Sequence, residues 1–567
     1  MKRRVFLKSC FVGLGSVATG GLVSDVAART LQGINTAKKP NVLFILADDM
    51  GYSDAECYGG DVKTPNLNAL AENGVRYSQH YSTGRCWPSR ACILTGYYAQ
   101  QCGRDPIEGI RKSNRPKWAP LLPEMLKPYG YRSYHSGKWH IDGTPQVAGF
   151  DRAWGTTEQG LQCDDNRFFN SKRWTEDNFS APVKDGQPYY STVAIADHSI
   201  ACLKLHKKNH PNTPFFNYTA FYSPHFPLHA MQKDIDKYRD AYLQGWDVIR
   251  ARRLKKMKQI GLVDCKLSER QTDVVPVWNL SGEKLKERIG AGEAPKAVAW
   301  DSLTDEQKRF QATKMAIHAA MIDRMDAEIG RIVKQLKDMG EFENTLILFA
   351  SDNGASAEQI IRGDKHDKNA APGSAKSFLC LGPGWATAAN TPFKMHKHWN
   401  HEGGISSPLI AHWPKGITDK GKLRHDPSHF IDIVPTVLHV ASGSANISNY
   451  KTKNAPKRPG ISLLESMTDG KPVKHESLWW YHLGNRAIRM GDWKLSSRYV
   501  KMNQPRSWEL YNIKKDRSET NDLAAIHPEI VAKLNKRWEE TAEDFRKHLK
   551  GDESQRPRRK KPKKKKQ

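Results

Sequence analysis

The hydrophobic positions of this chain fall into two textures. Asn41-Val42-Leu43-Phe44-Ile45-Leu46 and Thr345-Leu346-Ile347-Leu348-Phe349-Ala350 are short unbroken apolar runs, and polar turns end them at Ala47-Asp48-Asp49 and Ser351-Asp352-Asn353-Gly354. Such runs read as strands buried on both faces of a sheet, since neither side meets water. Met315 to Lys337 instead places Ala316, Ala319, Ala320, Met325, Ile329 and Ile332 on one helical face. Helix followed by buried strand predicts an α/β fold, with further strands at Tyr131 to His135, Pro214 to Phe221 and Pro408 to His412. Ligands collect at the carboxyl ends of strands in such sheets, so both acidic turns are expected at a binding edge.

After Pro435 the pattern changes. Residues 442–474 are rich in Ser, Asn, Lys, Pro and Gly and predict a loop-rich connector. Short strands follow at Leu478 to Tyr481, Arg486 to Arg489, Trp493 to Leu495 and Trp508 to Tyr511, then an amphipathic helix from about Pro528 to His548. The division expected is a catalytic unit over 40–441, the connector, and a small antiparallel sheet with a packing helix over 475–550.

The two ends carry no fold signal. Lys2-Arg3-Arg4, a moderately apolar stretch and Val26-Ala27-Ala28 make 1–28 an export signal of twin-arginine type, and the expected destination is the periplasm or beyond. No later segment offers a membrane span, so no stable insertion is expected. The tail 551–567 holds nine Lys or Arg against Asp552 and Glu553, a run of like charge expected to stay unfolded.

The chain of 567 residues has a net charge of +28, which favours polyanionic partners. Without a helix-turn-helix, zinc-finger or RNA-binding signature, that charge does not point to nucleic acid. Apart from Cys10 and Cys86, seven cysteines are scattered without zinc spacing, and free thiols are expected.

Chemistry enters at Cys86-Trp87-Pro88-Ser89-Arg90-Ala91-Cys92-Ile93-Leu94-Thr95-Gly96. This string resembles the C-x-P-S-R signature of type I sulfatases, the bacterial arylsulfatase-like group included. The resemblance covers about Pro40 to Leu549. It implies an alkaline-phosphatase-like sandwich with a large central mixed sheet, and sulfate-ester hydrolysis with S–O cleavage. It also implies oxidation of Cys86 to formylglycine by a formylglycine-generating or anaerobic sulfatase-maturating enzyme. The aldehyde hydrate then offers a hydroxyl that attacks sulfur, and sulfate leaves by elimination, an exit that Ser and Cys lack.

Asp48, Asp49, Asp352 and Asn353 supply an oxygen donor set, which suits one Ca²⁺ and not a zinc-like ion. By the resemblance residue 86 also contacts the cation. Gly137-Lys138-Trp139-His140 resembles the family's G-K-W-H segment, in which Lys138 would contact sulfate and His140 the formylglycine hydroxyl. Asp142 departs from a position often held by Gly. Ser223-Pro224-His225 resembles the leaving-group loop and makes His225 the proton donor, with His229 a second histidine in the same loop. Lys397, five residues before Glu402-Gly403-Gly404, would bind a sulfate oxygen, with Lys394 its rival. Arg90 would hold the formylglycine environment, and Ser89 would serve maturation. The segment Lys233 to Gln311 is expected to shape the pocket mouth. Basic charge and export together favour a sulfated polysaccharide or oligosaccharide as substrate. The alternatives are a phosphonate monoester or phosphodiester hydrolase with the same nucleophile, and a silent polyanion-binding protein. Oligomeric state is not legible.

Overall fold

The structure, a computed structural model, describes residues 38–108, 114–155, 189–445, 455–501, 504–505 and 507–553. The export signal, Cys163 and residues 554–567 of the basic tail lie outside the described residues.

Strand β1 (Asn41–Asp48) is buried throughout, as its sequence texture requires. Val42, Phe44 and Leu46 enter one core, while Leu43, Ile45 and Ala47 enter another on the opposite face. Around it, β2 (Val75–Tyr81), β3 (Arg132–Gly137), β4 (Arg152–Trp154), β5 (Phe215–Pro224), β6 (Thr345–Ser351), β7 (Ser406–His412), β8 (Lys422–Arg424) and β9 (Ser428–His429) complete a nine-stranded mixed sheet. Their order is β4-β3-β5-β1-β6-β7-β2-β8, with β9 also paired to β2. β7 alone runs against the rest, antiparallel to both β6 and β2. β1 and β6 run parallel and in register from Asn41 opposite Thr345 to Ala47 opposite Ser351, so their acidic turns emerge side by side.

Helices Ser191–Asn209 and Asp305–Asp338 cover one face, and helices Cys86–Thr95 and Ile433–Ser442 cover the other. The Asp305–Asp338 helix starts ten residues before the apolar periodicity does. Thr304 Oγ1 accepts from the Gln307 N–H at 3.2 Å and Gln307 Oε1 accepts from the Thr304 N–H at 3.0 Å, a capping box that fixes the polar first turn. β2 was not expected, because Arg76, Ser78, Gln79 and His80 mask it. Ser428 Oγ meets His80 Nδ1 at 3.0 Å, and such partners let polar side chains occupy a sheet interior.

The C-terminal part forms an antiparallel sheet from β10 (Leu478–His482), β11 (Asn485–Met490), β12 (Trp493–Ser497) and, after a short ribbon of β13 (Tyr499–Lys501) and β14 (Gln504–Pro505), β15 (Glu509–Asn512). Helix Pro528–Glu553 packs on it through Trp538, stacked on Trp479 at 5.4 Å. Within 442–474, helix Leu464–Asp469 interrupts the expected loop, and its Ser466 accepts from the Tyr77 hydroxyl at 3.0 Å. No helix among the described residues is long and apolar enough to cross a membrane. The described cysteines, Cys57, Cys86, Cys92, Cys102, Cys202, Cys265 and Cys380, are free thiols.

Candidate active site

β1, β2, β3, β5 and β6 run the same way, so their carboxyl ends open on one edge, which the amino end of β7 shares. That edge gathers residues from remote parts of the sequence. Asp48 ends β1, and Asp49 follows in the left-handed region with φ of 63°, a conformation that Asp tolerates better than most residues. The Asp49 N–H donates to Asp352 Oδ1 at 3.3 Å, and Asn353 Nδ2 donates to Asp49 Oδ1 at 2.7 Å. The two strand ends are thereby sewn together.

Three cationic side chains face these acids and a fourth faces Glu358. Arg90 is fully buried and donates from Nε and Nη2 to Asp352 Oδ2 at 3.0 and 2.8 Å, and from Nη1 to the Lys138 carbonyl at 3.0 Å. Lys138, just past β3, pairs with Asp48. Lys397 Nζ lies 2.7 Å from Asp49 Oδ2 and 3.3 Å from His225 Nε2. Arg85, the residue before Cys86, lies 3.5 Å from Glu358. Burial would push the Asp48 carboxyl up, but Lys138, His225 and Arg90 hold it below the usual carboxylate range.

His225 follows β5. Its Nδ1 stands 2.6 Å from the Phe226 carbonyl, so Nδ1 carries the hydrogen and Nε2 the lone pair. Burial, reinforced by the charge of Lys397, holds this imidazole well below its ordinary range. Cys86 opens the helix Cys86–Thr95, is 2% exposed, and stands one helical turn before Arg90. His140 is exposed and meets Trp87 edge-on with ring centroids 5.8 Å apart.

Asp48, Asp49 and His225 offer donor atoms within 4.8 Å of one another. Asp48 Oδ1 and Asn353 Oδ1 are buried with no hydrogen-bond partner among the described residues. Each such orphaned oxygen costs about 1–3 kcal/mol unless something satisfies it. A hard cation would satisfy both, so the donor set fits a metal ion of the oxygen-preferring kind. His225, a nitrogen donor already engaged by Phe226 and Lys397, suits a proton carrier better.

Sequence reasoning missed Glu358. It is buried and lies 3.3 Å from Lys397 and 3.5 Å from His398, and it accepts from Trp278 Nε1 at 2.9 Å. A single glutamate six residues past Asp352 forms no motif, and only the turn beyond β6 brings it in. Asp142, the departure from the family pattern, pairs with Arg104 Nε at 3.0 Å. Lys394 points elsewhere, donating to the Tyr511 hydroxyl at 2.8 Å, and Lys397 alone of the two reaches the acids. His229 meets the Ser377 carbonyl at 2.6 Å, a packing role. Ser89 Oγ accepts from the Thr83 N–H at 3.1 Å and so steadies the loop before Cys86. From the Lys233 to Gln311 segment, Trp278 reaches the site directly.

The sequence profile of the Sulfatase family matches residues 40–444. The chain belongs to the type I sulfatase family. This sulfatase is 31% identical over 542 residues to an uncharacterized sulfatase of Schizosaccharomyces pombe, covering 88% of this chain and 93% of the relative. It is 31% identical over 474 residues to an arylsulfatase of Klebsiella aerogenes, covering 78% of this chain and 94% of that one. Its fold matches a crystal structure of Ps i-CgsB in complex with k-i-k-neocarrahexaose at a TM-score of 0.59 and 22% identity, over 91% of this chain and 98% of the other. The sulfatase is accordingly a sulfuric ester hydrolase of arylsulfatase-like type.

Proposed function

We propose that this sulfatase hydrolyses sulfate esters of a sulfated saccharide, with Cys86 matured to formylglycine as nucleophile and one Ca²⁺ held by Asp48, Asp49, Asp352, Asn353 and residue 86. The observation that carries the reading is the pair of orphaned buried oxygens, Asp48 Oδ1 and Asn353 Oδ1, in an acidic cluster that Arg90, Lys138 and Lys397 hold, with Cys86 one helical turn before Arg90. When bound, the cation would polarise the sulfate group and favour the deprotonated nucleophile. Maturation would give residue 86 a geminal diol, one hydroxyl to attack sulfur and one to release sulfate.

The chain's own residues do the rest. Lys138 and Lys397 bind sulfate oxygens and counter the charge that builds on the departing oxygen. Arg90, locked on Asp352, fixes the start of the nucleophile helix. His140 at the open side hydrogen-bonds the residue-86 hydroxyl. His225 gains a proton at Nε2 when the anionic ester arrives beside it, since a nearby negative charge favours imidazolium, and passes it to the leaving oxygen. The saccharide assignment rests on the net charge of +28 and on the solved fold relative that holds k-i-k-neocarrahexaose. The Arg3-Arg4 start supports export, maturation calls for a formylglycine-forming enzyme, and residues 40–441 and 475–550 make the catalytic and C-terminal units.

Peptide mass spectrometry of protein from a host that matures sulfatases tests this, together with turnover of an aryl sulfate against an aryl phosphodiester. The expected result is the aldehyde mass on the Cys86 peptide and preference for the sulfate, both lost in Cys86→Ala. Unmodified Cys86 in an active preparation, or preference for the phosphodiester, overturns it.

A further inference from the structure

Five rings from separate parts of the chain form a connected wall through Trp87, the residue after Cys86. Trp278 meets His398 edge-on at 4.6 Å, His398 stacks on His482 at 6.2 Å, His482 meets Trp87 at 5.3 Å, and Trp87 meets His140 at 5.8 Å. Arg85 stands inside this wall. Its guanidinium carbon is 4.9 Å from the centre of the Trp87 ring and 6.0 Å from that of Trp278. Nη1 lies 2.7 Å from His398 Nδ1 and 3.5 Å from Glu358 Oε2. The wall itself is pinned from behind, Trp87 Nε1 to Asp105 at 3.1 Å and Trp278 Nε1 to Glu358 at 2.9 Å.

Two features point to a ligand. Arg85 is balanced only in part, because the one carboxylate paired with it among the described residues, Glu358, is shared with Lys397 at 3.3 Å and His398 at 3.5 Å. Its Nε is buried with no partner among the described residues, and the side chain keeps 16% of its surface open. A guanidinium set beside two indoles loses little freedom on meeting a planar or tetrahedral oxyanion.

We propose that Arg85 and its Trp87–Trp278 clasp form a subsite for a second anionic group of the substrate, a sulfate or carboxylate borne by the sugar next to the scissile ester. This rests on the saccharide sulfatase reading above and narrows it to substrates with two neighbouring charges.

The test compares kcat/KM of matured wild type, Arg85→Gln and Arg85→Lys on three substrates: a monosulfated amino sugar, its N-sulfated counterpart, and a disaccharide with the same ester beside a uronate. Wild type is expected to prefer at least one doubly charged substrate by tenfold or more, and the one preferred distinguishes sulfate from carboxylate. Arg85→Gln should cut that preference ratio at least tenfold, and Arg85→Lys should restore part of it. The ratio is taken within one preparation, so partial misfolding of a variant cancels. Equal ratios in wild type and Arg85→Gln, or no wild-type preference, overturn the subsite. Failure of wild type to hydrolyse any sulfate ester overturns the underlying reading instead.

Discussion

Replacing Lys494 with Met should destabilise the protein by about 3–5 kcal/mol at pH 7, although Lys494 lies outside the catalytic constellation. Lys494 Nζ is fully buried and donates to Glu402 Oε1 at 2.8 Å and Glu519 Oε1 at 2.9 Å. Two charge-assisted bonds at about 1.5–3 kcal/mol each give about 3–6 kcal/mol, which overlaps that range. Arg517, at 3.2 Å from Glu402 Oε2, and the more distant Arg489 would remain to balance two buried carboxylates. Burial tends to raise the Glu402 pKa, but Lys494 and then Arg517 bring it down to about 2. A carboxyl depressed on folding stabilises the native state above its unfolded value of about 4.3 and loses that contribution as pH falls toward 2. In Lys494→Met the Glu402 pKa rises, so the stability gap between variant and wild type should narrow as pH drops from 7 to 4. Urea denaturation at both pH values measures this, and Lys494→Met/Glu402→Gln should recover part of the loss. A gap under 1 kcal/mol at pH 7, or one that widens in acid, would refute the assigned ion network.

Two further outcomes follow from the site. His225→Gln should lower turnover of an alkyl or sugar sulfate by about 10²–10⁴-fold while sparing a nitrophenyl sulfate, whose leaving oxygen needs no proton; equal losses on both would remove His225 as the donor. Chelation should abolish turnover and lower the melting temperature, Ca²⁺ should restore both, and Asp48→Asn should weaken Ca²⁺ binding read by calorimetry; a variant that binds as tightly as wild type would remove Asp48 from the donor set.

The acidic turns were legible because a strand buried on both faces must end in something polar, and β1 ends in Asp48 while Asp352 directly follows β6. Cys86, Arg90, Lys138 and Lys397 were legible through short strings whose spacing the local backbone preserves. Glu358 and Arg85 were not, since their partners are distant in sequence and no fixed spacing links them. β2 escaped notice for the same reason: the groups that satisfy its polar residues arrive from residues 425–429 and beyond. The start of the Asp305–Asp338 helix depended on a cap, which apolar periodicity does not record.

The β10–β11 hairpin grips the backbone on both sides of the pocket. Trp480 Nε1 donates to the Ser82 carbonyl at 2.8 Å, and Asn485 Nδ2 donates to the His398 carbonyl at 2.8 Å. Residues 480–485 leave the ribosome about 400 residues after Cys86, roughly 20–80 s later at ordinary synthesis rates. Until then the pocket lacks one wall and Cys86 sits in an unfinished fold; afterwards it is 2% exposed. If Cys86 is matured to formylglycine as proposed, the order of the sequence would work as a clock, leaving the modifying enzyme an interval of tens of seconds before the hairpin takes hold of Ser82 and His398.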